Sequence, residues 1–268
     1  MRIVLTAMKL IRLLRISFSM SLRQALAFRV NLIFDTVMAV VALLSTFAAV
    51  LIIFSRTDTL AGWTKPEMFV LIGTFELLSG IKATFVDPNL ASFPARGIRE
   101  GRLDHHLLQP APSMFLVSLS TATPLAGVQI PLGLAVVGVS VSTGDRLPGP
   151  GPAIAWLLLV CAATVTMWAL GMLFASLAFW ASKLDLHSLF SNAWQLARYP
   201  ADIYAKPLRL LFTYVIPLAL IATVPTRVLI RPVDPHAVLV ALATSVVAVL
   251  LATVTWRQGL KRYTGATS

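Results

Sequence analysis

The chain has 268 residues, 57% of them hydrophobic and only 12% charged, with a mean hydropathy of +0.83; soluble globular domains carry about one quarter charged residues. These values exclude an ordinary soluble enzyme and indicate a polytopic membrane protein, with room for several spans but no large soluble domain beside them. The formal net charge of +11 is not a nucleic-acid signature here, because basic residues flanking apolar runs orient a chain in the bilayer and meet anionic lipid.

Residues Arg2 to Arg29 read as an amphipathic helix. At 100° per residue, Arg2, Lys9, Arg12 and Arg23 fall within about 80° of one another, opposite Ile3, Val4, Leu10, Ile11, Leu14, Phe18 and Leu22. Six Lys/Arg and no Asp/Glu precede Asn31, the pattern of a helix lying in the cytoplasmic interface. The basic residues are spread along the segment and no small-residue cleavage site follows a short apolar core, so it is not read as a signal peptide.

Six apolar stretches follow, each long enough for a hydrocarbon core of roughly 30 Å. They run from Asn31 to Phe54, Pro66 to Phe85, Met114 to Val141, Ala153 to Trp180, Leu210 to Ile230 and Ala237 to Trp256. The runs "PGPGP" (Pro148 to Pro152) and "RPVDP" (Arg231 to Pro235) are tight turns. The expected organisation is therefore an interfacial helix over 1–29, a six-span all-α transmembrane domain over 30–256, and a short tail over 257–268. Cys161 is the single cysteine and lies in an apolar run, which leaves no disulfide framework and no cysteine-based metal site.

Orientation follows from counting Lys/Arg. With the N-terminus inside, the inner segments hold seventeen, including Lys82, Arg96, Arg99 and Arg102 in one connection and Lys183, Arg198, Lys206 and Arg209 in another. The outer segments hold five: Arg56, Lys65, Arg146, Arg227 and Arg231. This imbalance places both termini in the cytoplasm.

The two inner connections carry most of the polar residues in the middle of the chain, as solvated loops or as a docking surface. "DHH" (Asp104, His105, His106) lacks further ligands at usable spacing for a metal. No nucleophile elbow, HExxH or Walker A motif occurs, so neither covalent catalysis nor ATP binding by the chain itself has a basis. Within the spans, Glu76 sits at mid-depth. It either lines a pathway, with Phe75 and Trp168 as neighbours suited to a hydrophobic cation, or carries a proton, or is satisfied by hydroxyls of a neighbouring helix. Asp35 and Lys82 lie near span ends, where snorkelling accounts for them. Pro217 and Pro225 interrupt the fifth span, which reads as a helix that breaks before it exits and is followed by a short re-entrant element.

The ordered set "GIREGRLDHHLLQP", "ARYPADIY" and "YVIPLALIATVP", behind a basic interfacial helix and within six spans, resembles the ABC-2 type permeases, in particular a bacterial six-span subgroup whose ATPase is a separate polypeptide. The resemblance covers essentially the whole chain. It implies an exporter subunit of the bacterial plasma membrane that has no cofactor of its own, ATP and Mg being held by two partner ATPase subunits. It also implies a second permease, identical or related. Arg96, Gly101, Arg102, Leu103, Asp104 and Leu108 become ATPase contacts. Arg198, Tyr199, Pro200 and Tyr204 become either a second inner contact or the hinge into the fifth span. Pro217 and Pro225 shape an outer gate. The alternative is a proton- or sodium-driven carrier with Glu76 as its ion site; paired halves with matching broken helices, expected for such carriers, are not seen. A membrane-embedded enzyme would need a catalytic constellation, and none is found.

Overall fold

A computed structural model of the chain describes residues 19–23, 29–143, 147–181 and 183–267. The amphipathic helix expected over Arg2 to Arg29 falls mostly outside them; 19–23 are helical. Among the described residues every regular element is helical. Five helices are long and apolar enough to cross a membrane, and the bent pair Lys206–Thr213 and Leu218–Ile230, meeting at 71°, makes a sixth if counted as one.

Helix α1 (Arg29–Phe54) is apolar on nearly every side and largely exposed; Ile33, Phe34 and Ile52 point away from the rest of the protein. A lipid-facing helix has this pattern. It leans on the bundle through an edge-on Phe47–Phe69 contact at 5.1 Å. Helix α2 (Lys65–Ile81) begins where Glu67 Oε2 accepts from the Thr64 amide at 2.8 Å and Pro66 occupies the first turn, the arrangement that satisfies a helix start. It does not end at Phe85. A π segment (Lys82–Val86), α3 (Asp87–Leu90) and a second π segment (Phe93–Arg99) extend it into one run of 35 residues.

The third expected span is in two pieces, α5 (Ser113–Leu119), which follows α4 (Arg102–Leu107), and α6 (Gln129–Ser142), joined through a 3-10 turn at Pro124–Val128. Pro124 cannot donate to a helix already loosened by Ser120, Thr121 and Thr123. The freed backbone is met by Asn89, whose side chain donates to the Thr121 carbonyl at 2.8 Å and accepts from its amide at 2.9 Å. Irregular backbone at membrane depth needs such cover.

Helix α7 (Pro150–Leu177) descends beside the last helix, α11 (Pro235–Thr267). The two run parallel and share a Thr166–Ser245 hydroxyl contact at 2.8 Å, with Ser245 also donating to the Ala162 carbonyl. Helix α11 continues through the segment set apart as a tail. Helix α8 (Leu186–Leu196) follows α7, capped by Asp185, whose carboxylate accepts from the Ser188 amide and hydroxyl. The fifth span differs most from expectation: α8 begins the ascent 24 residues before Leu210. Next come α9 (Lys206–Leu210), a π turn (Leu211–Val215), a 3-10 turn (Leu218–Leu220) and α10 (Thr223–Ile230).

Helices α2 and α6 approach closely at glycines. A Cβ added to Gly133 would meet the Leu77 amide nitrogen and the Gly73 carbonyl, and one on Gly73 would come within 2.8 Å of Val137. Small residues let helix backbones close in where hydrocarbon gives no drive for association. Gly133→Leu should therefore cost about 1–3 kcal/mol by overpacking, lowering the thermal midpoint and the monodisperse yield in detergent. Gly138→Leu, at a position with nothing within 4 Å, should leave both unchanged.

Candidate functional site

The bundle has two ends. At the Arg102 end, Gly101 adopts φ +73°, a left-handed turn that glycine takes without Cβ strain, and α4 follows. Leu103 is fully buried, whereas Leu108 is 86% exposed. Asp104 accepts a hydrogen bond from Tyr263 on α11, and Arg102 pairs with Glu100 at 3.3 Å. His105 meets Gln109 at 2.9 Å. Beneath, Phe93 packs on Phe179 and Trp256 at 5.8 and 5.6 Å. The short helix is thus a rigid projection, bolted by aromatics to the ends of α7 and α11.

A polar ladder climbs from this end between the long α2 run and α8. Lys82, only 4% exposed, donates to Asp87 at 2.7 Å and to Ser191 at 3.3 Å, under the Phe190 ring. His187 stands 3.7 Å from the same Asp87 oxygen. Trp194 donates to Ser79 at 2.9 Å. Arg198 lies 3.9 Å from Glu76 and over the Phe75 ring at 5.3 Å, and its Nε is buried without a partner among the described residues. The rungs pair rising numbers in α8 with falling numbers in α2, so the two are antiparallel.

The ladder tops out at the opposite, Trp63 end. Asp202 accepts from the Trp63 indole at 3.0 Å and from Arg227, and Arg209 donates to its carbonyl at 2.7 Å. Arg227 and Arg231 lie over the Trp63 ring at 5.7 and 5.0 Å. Arg231 also binds both oxygens of Glu67, at 3.0 and 3.1 Å, and the Gly62 carbonyl at 2.9 Å, a forked geometry among the strongest available. The Tyr204 hydroxyl folds back to the Leu196 carbonyl at 2.7 Å and the ring meets Phe212 edge-on. Pro200 is extended, and Ala201 donates to Thr223 at the start of α10.

The structure brings Arg96, Gly101, Arg102, Leu103, Asp104 and Leu108 together. It does not place Arg198, Tyr199, Pro200 and Tyr204 beside them: this second group lies from mid-depth up to the Trp63 end. Three of the basic residues counted at the inner side (Arg198, Lys206 and Arg209) move with it. Lys82, expected to snorkel, is buried and paired instead. Glu76 has Arg198 as its partner rather than hydroxyls, and Trp168 spends its indole on Ser118. Pro217, buried, ends the π turn and marks the break. Pro225 does not break anything, because it sits in the first turn of α10, where a missing N–H is harmless.

Trp63 and Glu67 carry no signal in the sequence; Asp202 stands out there as a polar residue of the "ARYPADIY" stretch, and Arg227 and Arg231 only as outer basic residues. They come from three distant stretches of the chain, which only the fold joins. The ladder did leave a trace: His187, Ser191, Trp194 and Arg198 recur at helical spacing and form one polar face.

If the Glu76–Arg198 rung holds α8 to α2, Arg198→Ala should lower the thermal midpoint, by a loss of roughly 1–3 kcal/mol for a carboxylate left without its partner. Adding Glu76→Gln should restore part of that loss in a double-mutant cycle; strict additivity would show that the two do not interact.

The chain was compared with known proteins. No curated protein and no solved structure matched it. A family model described as ABC-2 family transporter protein matches residues 40–267, which takes in α2 to α11 in full and more than half of α1. With five to six apolar crossings in an all-helical bundle, this chain belongs to the ABC-2 family of transporter proteins, multi-pass membrane proteins that work with an ABC ATPase.

Proposed function

We propose that the chain is the translocation subunit of an ABC exporter, with the Arg102 end and both termini in the cytoplasm of a bacterial cell. A separate ATPase, in two copies, holds ATP and Mg and docks on Arg96, Gly101, Arg102, Leu103, Asp104 and Leu108. Two permease chains, identical or related, enclose the path and alternate between inward- and outward-facing states. The observation that carries this reading is the α4 projection: a bare Leu108 on a helix held rigidly from below by Leu103 and the Phe93–Trp256–Phe179 cluster. An exposed apolar knob on a firm base is a docking element.

The ladder supplies the transmission. A push on α4 passes into the long α2 run, and α8 has to follow because its charged and aromatic groups are paired along it. Arg198, Tyr199, Pro200 and Tyr204 then act as the hinge between α8 and the bent pair, with Pro217 at the gate. Glu76 lies in this moving seam. Its guanidinium partner already balances its charge, which weakens the case for an ion-driven carrier.

The purified chain should turn over no ATP, and should support ATPase activity only when assembled with its partner; turnover by this polypeptide alone sinks the reading. Leu108→Glu should weaken assembly by about thirtyfold or more, as for a hot spot worth about 2 kcal/mol, with membrane insertion unchanged. Copurification of the ATPase at the unaltered level would place the docking surface elsewhere.

A further inference from the structure

Between the long α2 run and α5, at the Arg102 end, lies a pocket of about 190 Å³. Arg96, Arg102 and His106 line one side, Asn89, Ser120 and Thr121 another, and none of its lining residues is acidic. The Asn89 side chain is committed on every edge: it donates to Phe85 and Thr121 carbonyls and accepts from the Thr121 amide and the Ser120 hydroxyl. That wall is therefore fixed and offers little of its own.

The opposite wall is unspent. The Arg96 guanidinium has no side-chain partner among the described residues, and Arg102 has only the exposed Glu100 at 3.3 Å. His106 Nδ1 is buried without a partner. Burial, together with His105 beside it, holds the His106 imidazole below its ordinary range, so it adds a polar ring edge and not a full charge. Two guanidiniums, Arg102 paired only at the surface with Glu100, make an anion site, and their planar forks suit phosphate oxygens better than a point charge does.

The rest of the lining indicates where the anion comes from. Pro88, Phe93 and Val117 give the same pocket an apolar side, and it sits where the crossing Lys65–Arg99 ends. A phosphate with hydrocarbon attached fits that pairing of surfaces; a free ion uses only half of it. Basic groups at the membrane surface attract anionic headgroups in the same way.

We propose that this pocket binds the phosphate of an anionic membrane lipid, with Arg96 and Arg102 as its ligands and the acyl part against Phe93 and Val117. Arg96 and Arg102 are also among the proposed ATPase contacts, but lipid binding requires neither the ATPase nor the transport cycle and is measured on the chain alone.

The full-length chain, purified in detergent, is offered phosphatidylglycerol or phosphatidylcholine and the retained lipid counted by native mass spectrometry. Wild type should keep phosphatidylglycerol preferentially, and Arg96→Gln with Arg102→Gln should reduce its retention about tenfold. A control with Arg257→Gln and Arg262→Gln removes equal charge from exposed positions on α11 and should change retention less than twofold. Equal loss in both doubles would reduce the effect to bulk charge and overturn the site. If the double variant fails to fold, Arg96→Gln alone carries the test, since that side chain gives up no described contact. Inorganic phosphate that binds wild type but not the double variant, with no lipid retained, overturns the lipid source. Unchanged lipid retention with lost ATPase assembly would assign the pocket to a protein carboxylate and overturn the proposal.

Discussion

An ionised side chain within a bundle surrounded by hydrocarbon has to find a partner or reach water, and this requirement fixes how α8 lies on α2. Lys82, Asp87, His187 and Ser191 form the lower rung, Trp194 and Ser79 the next, Arg198 and Glu76 the third. Sliding α8 by one turn would part Glu76 from Arg198 and take Ser191 from Lys82 and Trp194 from Ser79, while Lys82 would keep Asp87 on its own run. Apolar packing alone tolerates such slips, because one aliphatic contact replaces another at little cost. The ladder gives a short helix of eleven residues a single register that its own length could not secure.

That register has a consequence at the Trp63 end. Helix α8 stops at Leu196, at about mid-depth, and the chain must still reach the surface. It does so with residues 197–204, which lack a continuous helix but tie several polar groups to their surroundings: Tyr204 returns to Leu196, Ala201 donates to Thr223, and Asp202 gathers Trp63, Arg209 and Arg227. The following bent pair stays near this end because Asp202 and Glu67 hold α10 through Arg227 and Arg231. Folding the chain back here, rather than crossing straight, lets one segment serve both as a crossing and as a cap over its neighbours.

Much of this was legible in the sequence. The apolar runs located α1, α2, α7 and α11, and the Pro-rich turns marked the starts of α7 and α11. Gly101 and the "GIREGRLDHHLLQP" motif located the α4 projection. The fifth crossing was misplaced for a physical reason: α8 is short and carries His187, Ser191, Gln195 and Arg198, so hydropathy reads it as a connector. His187 and Ser191 are half-buried against Asp87 and Lys82 of the long α2 run, and hydropathy cannot register a partner. The break in the third span had its signal in "STATP", yet the apolar residues on either side outweighed it. Pro225 was read as a breaker because the sequence does not show that a helix starts two residues before it. The Trp63 cluster had no local signal, since its members come from three separate stretches of the chain.

The length of the α2 run makes the ladder mechanically useful. Thirty-five residues at about 1.5 Å each span roughly 50 Å, well beyond a hydrocarbon core of about 30 Å, so the run joins the α4 projection to the vicinity of the Trp63 cluster in one element. A rocking of about 5° about its middle would shift each end by roughly 2 Å, comparable to the helix shifts that switch subunit interfaces. Its two π segments, at Lys82–Val86 and Phe93–Arg99, fall where the ladder begins and where Arg96 faces the lipid pocket; π turns are less regular than α and are found at functional sites. Above Lys82 the run is plain α-helix, backed by the close glycine contacts with α6. The compliant part therefore lies at the Arg102 end and the stiff part beside Glu76, an order in which a displacement at the Arg102 end is taken up locally before it tilts the upper bundle.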